Sequence, residues 1–315
     1  MRILKHSVYP AVVAGAAMIA VLGTTAPASA TTLRGDWAPF TRCPVGNASM
    51  LAADGNNVVA GCLATNSPSG SVKLGNTTMS TGASNLQLGA LINTSSGKQT
   101  AVAPSGGAIV AAPVQVPGGL LGLMCPSSIP IVSQLCAEIT NSKLNQVTAT
   151  IEAAGNPSGL NTSNALSQGA TVITLPVKIQ LSNPILGSGC FIGSNSDPIV
   201  LHPKTLVVPP NSSSGNFDTN GKSDPNGSML LITLSGGELA DNTFAVPGAS
   251  GCAGLLAPIV DPVLNLKEGL PSASGNNSLT LDNVTLDIAG FGDPTSVAPH
   301  EGQALSKAWH SAVTG

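Results

Sequence analysis

Thr171–Leu181 reads TVITLPVKIQL, and this stretch decides the fold class. Apolar and polar residues alternate around Pro176, which is the pattern of a half-buried β-strand. Because proline cannot donate to a strand ladder, we expect an edge strand or a bulge here. Similar runs recur in both directions along the chain, at Val58–Ala60, Ala108–Val116, Gln146–Ala153, Met229–Leu234 and Ser278–Ile288.

Turn-forming segments separate these runs, and few segments predict helices. Clusters of Gly, Pro, Asn, Asp and Ser follow most of the apolar runs. Pro130–Ser142 begins with proline and spaces its apolar residues at helical intervals, and Glu301–Ser311 predicts a C-terminal helix. The sequence therefore predicts an all-β fold of one or two antiparallel β-sandwich units, possible tandem duplicates, with two short helices.

A partial internal sequence similarity bears on the domain organisation. Val147–Ser158 matches Val284–Thr295 at several positions with identical spacing, and Pro130–Val132 matches Pro258–Val260 at a different offset. Two interpretations stay open. The chain holds two related β-rich units, at residues 31–164 and 165–315, or the similarity is chance in a chain rich in Val, Pro, Gly and Thr.

The first thirty residues are typical of a secretory signal. A basic start precedes the apolar segment Ala11–Leu22, and Ala28–Ala30 supplies the small residues that signal peptidase requires. The apolar segment is shorter than the ~20 residues of a membrane span, so we expect cleavage after Ala30. The later apolar region Ala108–Val132 contains four prolines, which lipid would not tolerate there.

Composition excludes several classes of function. The formal charge is −3 and becomes −5 when Arg2 and Lys5 leave with the signal. Scattered Lys and Arg offer no basic patch to nucleic acid or to an anionic membrane. Charged residues are only 9% of the chain, so Ser, Thr, Asn and Gly must cover the solvent face. Because Tyr9 also leaves, few aromatic rings remain for stacking, which disfavours a lectin or a polysaccharide hydrolase.

Six cysteines remain after processing. An even number in an exported chain predicts disulfides, and six cysteines allow fifteen pairings. Of these we favour the pairing of neighbours, which is Cys43–Cys62, Cys125–Cys136 and Cys190–Cys252. A zinc site would need closer spacing such as C-x-x-C, which the sequence lacks.

Nucleophilic catalysis has little support in the sequence. The nearest approach to the G-x-S-x-G motif of α/β hydrolases is Gly248–Cys252, where cysteine replaces the last glycine. The mature histidines are His202, His300 and His310, and a triad through one of them stays open because triad members are distant in sequence. His202 fits the cap of a turn, and the other two with Glu301 fit a solvated helix better than a zinc site.

Acidic residues offer two further possibilities. Asp218–Asp224 (DTNGKSD) resembles part of a calcium loop through Asp218, Asn220 and Asp224, but Lys222 replaces an acidic ligand and no Glu closes it. Nothing in the spacing selects a catalytic pair from Glu238, Asp241, Asp261 and Glu268. The sequence therefore predicts no catalytic residue, no metal site and no cofactor.

Four stretches resemble a family of uncharacterised secreted proteins from actinobacteria. They are Val116–Pro126 (VPGGLLGLMCP), Leu175–Pro203 (LPVKIQLSNPILGSGCFIGSNSDPIVLHP), Asn242–Cys252 (NTFAVPGASGC) and Glu301–Val313 (EGQALSKAWHSAV). The resemblance covers most of the mature chain and implies export and a shared fold. It carries no functional residue over to this chain.

Three functions remain open. We favour a secreted, disulfide-stabilised protein with a non-enzymatic binding or structural role at the cell surface, where cell-wall or envelope components would be its partners. The basis is the lack of a convergent catalytic set and of a cofactor loop in the sequence. The alternatives are an extracellular hydrolase with a site built across the sheets and a carrier of an apolar ligand. The carrier hypothesis rests on Pro117–Val132, although such a segment is more often part of a core.

Overall fold

A computed structural model describes residues 33, 35–125, 128–139 and 142–314. The predicted signal, residues 1–30, lies outside the described residues. Residues 32–315 form a single compact unit. The chain is mostly β, with 39% strand and 23% helix in two open antiparallel sheets and two longer helices. The β-rich class is therefore confirmed, and the helical share is larger than two short helices would supply.

The described residues form sixteen strands and six α-helices. The strands are β1 (Val58–Ser67), β2 (Ser69–Leu74), β3 (Thr77–Ser80), β4 (Ser84–Asn93), β5 (Gln99–Val102), β6 (Ile109–Ala111), β7 (Val114–Gln115), β8 (Thr148–Ala153), β9 (Leu175–Ser182), β10 (Phe191–Ile192), β11 (Ile199–Leu201), β12 (Lys204–Val207), β13 (Asn211–Phe217), β14 (Met229–Asp241), β15 (Ala249–Ser250) and β16 (Ser278–Phe291). The helices are α1 (Ala48–Leu51), α2 (Gly119–Met124), α3 (Pro130–Glu138), α4 (Ser142–Asn145), α5 (Ala257–Glu268) and α6 (Glu301–Thr314). Short 3-10 helices lie at Gly35–Phe40, Thr162–Leu166, Gly254–Leu256 and Pro294–Val297.

The strands form a large sheet and a small sheet. The main path of the large sheet runs β12-β14-β16-β1-β4-β5, with β2, β3, β6 and β13 attached to it. The small sheet runs β15-β10-β9-β8-β7, and β11 also pairs with β9. The large sheet takes strands from both sides of the predicted boundary near residue 164, so that boundary does not separate the sheets. The division into two units stays a prediction.

The segment around Pro176 forms the centre of the small sheet, so the expectation of an edge strand is wrong. Strand β9 pairs with β8, β10 and β11. Pro176 is its second residue and lies beyond the last register partner in β8, where its carbonyl still accepts the N–H of Ala154 at 2.9 Å. A proline at the beginning of a strand costs no bond in the middle of the ladder.

Strand β16 changes its partner at a local irregularity. Thr285–Gly290 pairs with β1, whereas Ser278–Asp282 pairs with β2. Between them Asn283 has φ of 49°, a left-handed conformation that asparagine tolerates better than most residues. Pro68 separates β1 from β2 at the same level, and the Ser67 hydroxyl contacts the carbonyls of Ser69 and Asp282 there.

The large sheet is covered on both faces because its side chains alternate. Leu63 and Leu88 belong to the core that it shares with the small sheet. Ala60, Cys62 and Ala64 face a second core, formed with α6 and the 3-10 helix Gly35–Phe40. A glycine lets α6 approach α1 closely within this helical layer. A Cβ at Gly302, in the first turn of α6, would lie 1.9 Å from the carbonyl oxygen of Met50.

Helix α5 is the main element that the sequence analysis missed. It contains Pro262, which argues against a helix interior, yet Val260 and Leu264 are buried in the shared core. Gly269 ends the helix at φ of 65° and donates its N–H to Asn265. Tertiary burial of one face therefore outweighs the local signal of the proline.

The internally similar segments agree in structure at one place and differ at another. Pro130–Val132 and Pro258–Val260 both lie in the first turn of a helix, α3 and α5. The two Val-Thr segments differ, because Thr148 belongs to β8 of the small sheet and Thr285 to β16 of the large sheet. The two Val-Thr segments, although similar in sequence, thus do not lie at equivalent positions of two similar sheets.

Three disulfides join the cysteines in the neighbour pairing that the sequence favours. Cys43–Cys62 ties the N-terminal segment to β1, and Cys125–Cys136 ties the end of α2 to α3. Cys190–Cys252 closes the longest loop, with a sequence separation of 62, and both of its residues are fully buried.

We expect removal of Cys190–Cys252 to destabilise the protein more than removal of Cys125–Cys136. Chain-entropy arguments give about 4 kcal/mol for the longer loop and about 3 kcal/mol for the shorter one. Buried sulfur atoms lost from the core add to the first cost. Urea denaturation of the two double Cys→Ala variants measures both values, and a larger loss for the Cys125–Cys136 variant would contradict the assignment. Free thiols in the intact mass of the non-reduced protein would contradict the pairing itself.

Candidate functional site

A cavity with a largely apolar lining lies between the two sheets of the described chain, and we call it the main cavity of this region, although larger pockets lie elsewhere on the described surface. It has a volume of about 100 Å³, and smaller pockets of about 30 and 40 Å³ adjoin it. Thr65 and Val172 line all three spaces, so together they form one cleft. We call it the inter-sheet cleft, and its apolar wall consists of Leu86, Ile109, Ala111, Ile151, Val172, Ile173, Leu175, Leu201, Pro203, Leu239, Leu279 and Leu281.

Strand alternation explains why these side chains face the cleft. In β1, Thr65 follows Leu63 at a spacing of two, and in β4, Leu86 precedes Leu88 at the same spacing. Since Leu63 and Leu88 belong to the shared core, Thr65 and Leu86 point to the same face. Register pairs Thr65 directly with Leu86.

The two sheets do not close fully over this surface. Leu86, Ile109, Ile151 and Leu281 face the shared core but remain only partly buried. In a closed pair of packed sheets, inward-facing aliphatic side chains interdigitate and leave no accessible apolar wall. The cleft therefore keeps apolar surface in contact with water, and covering it with a ligand would be favourable.

Hydroxyl and amide groups line one part of the cleft. Ser67 and Thr81 donate to backbone carbonyls, and Asn85 bonds to the side chains of Asn66 and Gln87. Within the described residues the hydroxyls of Thr65 and Ser84 have no hydrogen-bond partner. No charged side chain belongs to the described lining of the main cavity. The main cavity thus offers neutral hydrogen-bonding groups beside an apolar wall, whereas Glu238 belongs to the lining of the adjoining pocket of about 40 Å³.

The apolar segment Pro117–Val132 is not the source of this cleft. Leu120, Leu123, Met124 and Val132 are buried in the shared core, and none of the described residues of the segment lines the cavity. The segment therefore packs as core, and the carrier hypothesis needs the inter-sheet residues instead. None of the described helices is long and apolar enough to cross a bilayer.

The four candidate glycosidase carboxylates have separate local contacts. Asp241 accepts the backbone N–H groups of His202 and Thr243, and Asp261 accepts those of Gly251 and Cys252. Glu268 accepts the Thr77 hydroxyl at 2.5 Å, and burial raises the pKa of its carboxyl. Glu238 lines the pocket of about 40 Å³ beside the main cavity. These bonds hold turns and loops in place.

The calcium-like loop uses its carboxylates for turns. Asp218 accepts the N–H groups of Asn220 and Lys222, and these bonds lower the pKa of its carboxyl. Asp224 accepts the N–H of Asn226. In the described part of the chain no group of three or more His, Cys, Asp or Glu side chains could hold a metal ion.

Ser250, His300 and His310 lie apart from the cleft, whereas His202 lies between the lining residues Leu201 and Pro203 without belonging to the lining itself. Ser250 is an exposed residue of β15, which pairs with β10. His300 is exposed, and so is His310 in α6, where its ring meets Trp309 edge-on. None of them lines the inter-sheet cleft.

Glu301 differs from the expectation of a solvated helix. Helix α6 packs on the large sheet, and the Glu301 side chain is fully buried. Its Oε2 accepts the N–H of Ala60 at 2.9 Å, while Oε1 has no partner among the described residues. Loss of hydration raises the pKa of this carboxyl to about 7, and the nearby Asp54 carboxylate adds to the shift. Asp54 itself stays ionised, since three N–H groups lower its pKa.

We expect Glu301→Gln to flatten the pH dependence of stability. The carboxyl releases its proton near pH 4.5 in the unfolded chain and near pH 7 in the folded one. Between these values the unfolded state binds fewer protons, so the free energy of unfolding falls as pH rises. The stabilisation is fully present below pH 4.5 and lost above pH 7, a change of about 3 kcal/mol. Glutamine keeps an acceptor for Ala60 but cannot ionise.

Urea denaturation at a series of pH values between 4 and 8 measures this effect. Glu238→Gln changes a partly exposed carboxylate and is the matched control, for which we expect the wild-type slope. Parallel curves for wild type and Glu301→Gln would show that Glu301 does not carry the pH dependence.

Comparisons with known proteins supply no relative for this chain. No protein-family model, no curated protein and no solved structure matches it. The function must therefore be argued from the cleft and from the chemistry of its lining.

Proposed function

We propose that the mature chain is an extracellular, non-enzymatic binding protein whose two sheets form a sandwich around a neutral apolar ligand. Three disulfides suggest an extracellular protein. The observation that carries the proposal is the partial exposure of inward-facing aliphatic side chains, Leu86, Ile109, Ile151 and Leu281. A protein without a ligand for this surface would gain stability by closing it.

The size of the cleft limits the ligand. An apolar cavity of ~150 Å³ in another protein stays dry and accepts benzene. The main cavity here, at about 100 Å³, is open to neighbouring spaces. It fits a short alkyl segment or a single small ring, and a longer chain would extend into the two adjoining pockets.

The charge of the lining limits the ligand further. A carboxylate or an ammonium buried in the main cavity would meet no opposite charge, and that desolvation is costly. The hydroxyls of Thr65 and Ser84 can bond an alcohol or ester oxygen. The ligand class is therefore a neutral alkyl compound with at most one or two uncharged polar groups.

We further propose that the ligand comes from the cell envelope of the producing organism, which is the partner that the sequence analysis favours. Alkyl chains of envelope lipids have the chemistry that this cleft would accept. The resemblance to secreted actinobacterial proteins supports the same location.

We expect the chain to bind linear n-alkanols with an affinity that rises with chain length. Each added methylene contributes ~0.8 kcal/mol, or about fourfold in Kd, until the alkanol outgrows the cleft. Isothermal titration from butanol to decanol measures this series. Ile109→Trp fills the cleft and should weaken octanol binding at least tenfold.

Val110→Trp is the matched control, because Val110 is the next residue of β6 and is 51% exposed. It should bind octanol like wild type. Equal affinities for Ile109→Trp and wild type, or no saturable binding of any alkanol, would exclude the cleft as a ligand site.

Co-sedimentation tests the envelope location separately. We expect saturable depletion of the mature protein by washed cell walls of the producing organism. Because the uncharged main cavity would make the contact, depletion should change little between low and high salt. A protein that stays in the supernatant at all wall concentrations would not be held at the envelope.

A further inference from the structure

A second pocket lies on the opposite face of the large sheet. Its volume is about 410 Å³, within the ~300–1,000 Å³ of small-molecule sites. Strands β13, β14 and β16 form its floor, and the 3-10 helix Gly35–Phe40 forms its wall. It shares no lining residue with the inter-sheet cleft. We call it the polar pocket.

The floor of the polar pocket contains a row of polar side chains. Ser213, Thr233 and Asp287 are direct neighbours across three strands. The next row on the same face is Gly215, Leu231 and Ala289, which is apolar. Since Leu231 and Ala289 belong to the second core, an aliphatic residue in place of Asp287 would extend that core. The polar row therefore interrupts a face that otherwise favours apolar residues.

Asp287 is incompletely satisfied within the protein. It is only 6% exposed, and its Oδ1 accepts the Thr233 hydroxyl at 2.7 Å. Its second carboxylate oxygen has no partner among the described residues. Burial raises the pKa of this carboxyl. A buried carboxylate with a free oxygen is stabilised by a bound donor, and most strongly by a cation.

The other lining residues of the polar pocket also favour a positively charged ligand. Asp36 adds a second carboxylate, and no basic side chain belongs to the described lining. Phe40 and Phe217 also belong to the lining, although Phe40 is only 1% exposed, and a cation with an apolar body gains from contact with an aromatic ring such as that of Phe217. A Cβ at Gly215 would lie 3.1 Å from the Phe217 ring, so glycine lets that ring pack against the floor of the pocket.

We propose that the polar pocket binds the ammonium or guanidinium group of a small amine or of a basic peptide side chain, with Asp287 as its counter-ion. The site is independent of the alkyl ligand in the cleft. Charge pairing gives the affinity, so binding weakens as salt rises.

Isothermal titration with two probes tests this proposal and distinguishes the sources. Agmatine represents a free amine, and acetyl-Gly-Arg-Gly-amide represents a peptide side chain. We expect saturable binding of at least one probe to the mature protein, and the tighter probe identifies the source. Asp287→Asn keeps the acceptor for Thr233 and the side-chain volume but removes the charge, so binding should weaken at least tenfold. Asp282→Asn alters an exposed residue of the same strand and should leave the affinity unchanged.

A second variant keeps the test valid if Asp287→Asn fails to fold. Ser213→Lys changes an exposed residue of the polar row and places a permanent ammonium beside Asp287. It should abolish binding of both probes and raise Tm. Neither probe binding saturably to wild type, or unchanged affinity in a folded Asp287→Asn or Ser213→Lys variant, would overturn the proposal.

Discussion

The pairing of β14 with β16 at the centre of the large sheet is the constraint on which the rest of the structure depends. Strand β16 has β14 along one edge and β1, then β2, along the other. The register of β16 therefore determines which of its side chains face the small sheet and which face the helical layer. Leu286 and Ile288 face the small sheet, and Asp287 and Ala289 face the helical layer. A slip of one residue would exchange the two sets and place a carboxylate in the apolar cleft.

The pairing of β14 with β16 is irregular beside the inter-sheet cleft. The register of β14 shifts around Gly237, whose partner is Val284, and the preceding residue of β16, Asn283, adopts a left-handed conformation. Leu239, Leu279 and Leu281 lie beyond this point and line the cleft. Bulged strands bend and redirect their side chains. Helix α6 packs on the opposite face of the same sheet, where Glu301 accepts the N–H of Ala60 in β1 at 2.9 Å.

The sequence alone predicted several of the strands. The predicted runs at Val58, Met229 and Ser278 begin at the same residues as β1, β14 and β16, because runs of apolar and β-branched side chains between turns are local signals. It missed α5, where tertiary burial outweighs Pro262, and it misread Pro176, whose tolerance depends on where the neighbouring strand ends. It named neither wall of the cleft, because Leu86 and Ile151 become neighbours only when two sheets pack. Asp287 was also missed, since no spacing distinguishes it from other carboxylates.

The sequence by itself determined the β-rich class, because alternation of side chains is a local property, and it favoured the disulfide pairing that the structure shows without excluding the other fourteen pairings. Only the tertiary structure decided which polar side chains are buried away from water. Glu301 lies at the exposed end of a predicted helix when read in sequence, yet packing of α6 on β1 buries it and raises its pKa. Asp287 and Asp282 lie five residues apart in one strand, but only the former is enclosed by other elements. The hydration of a side chain depends on neighbouring atoms that are distant along the chain, and no local sequence pattern predicts these neighbours.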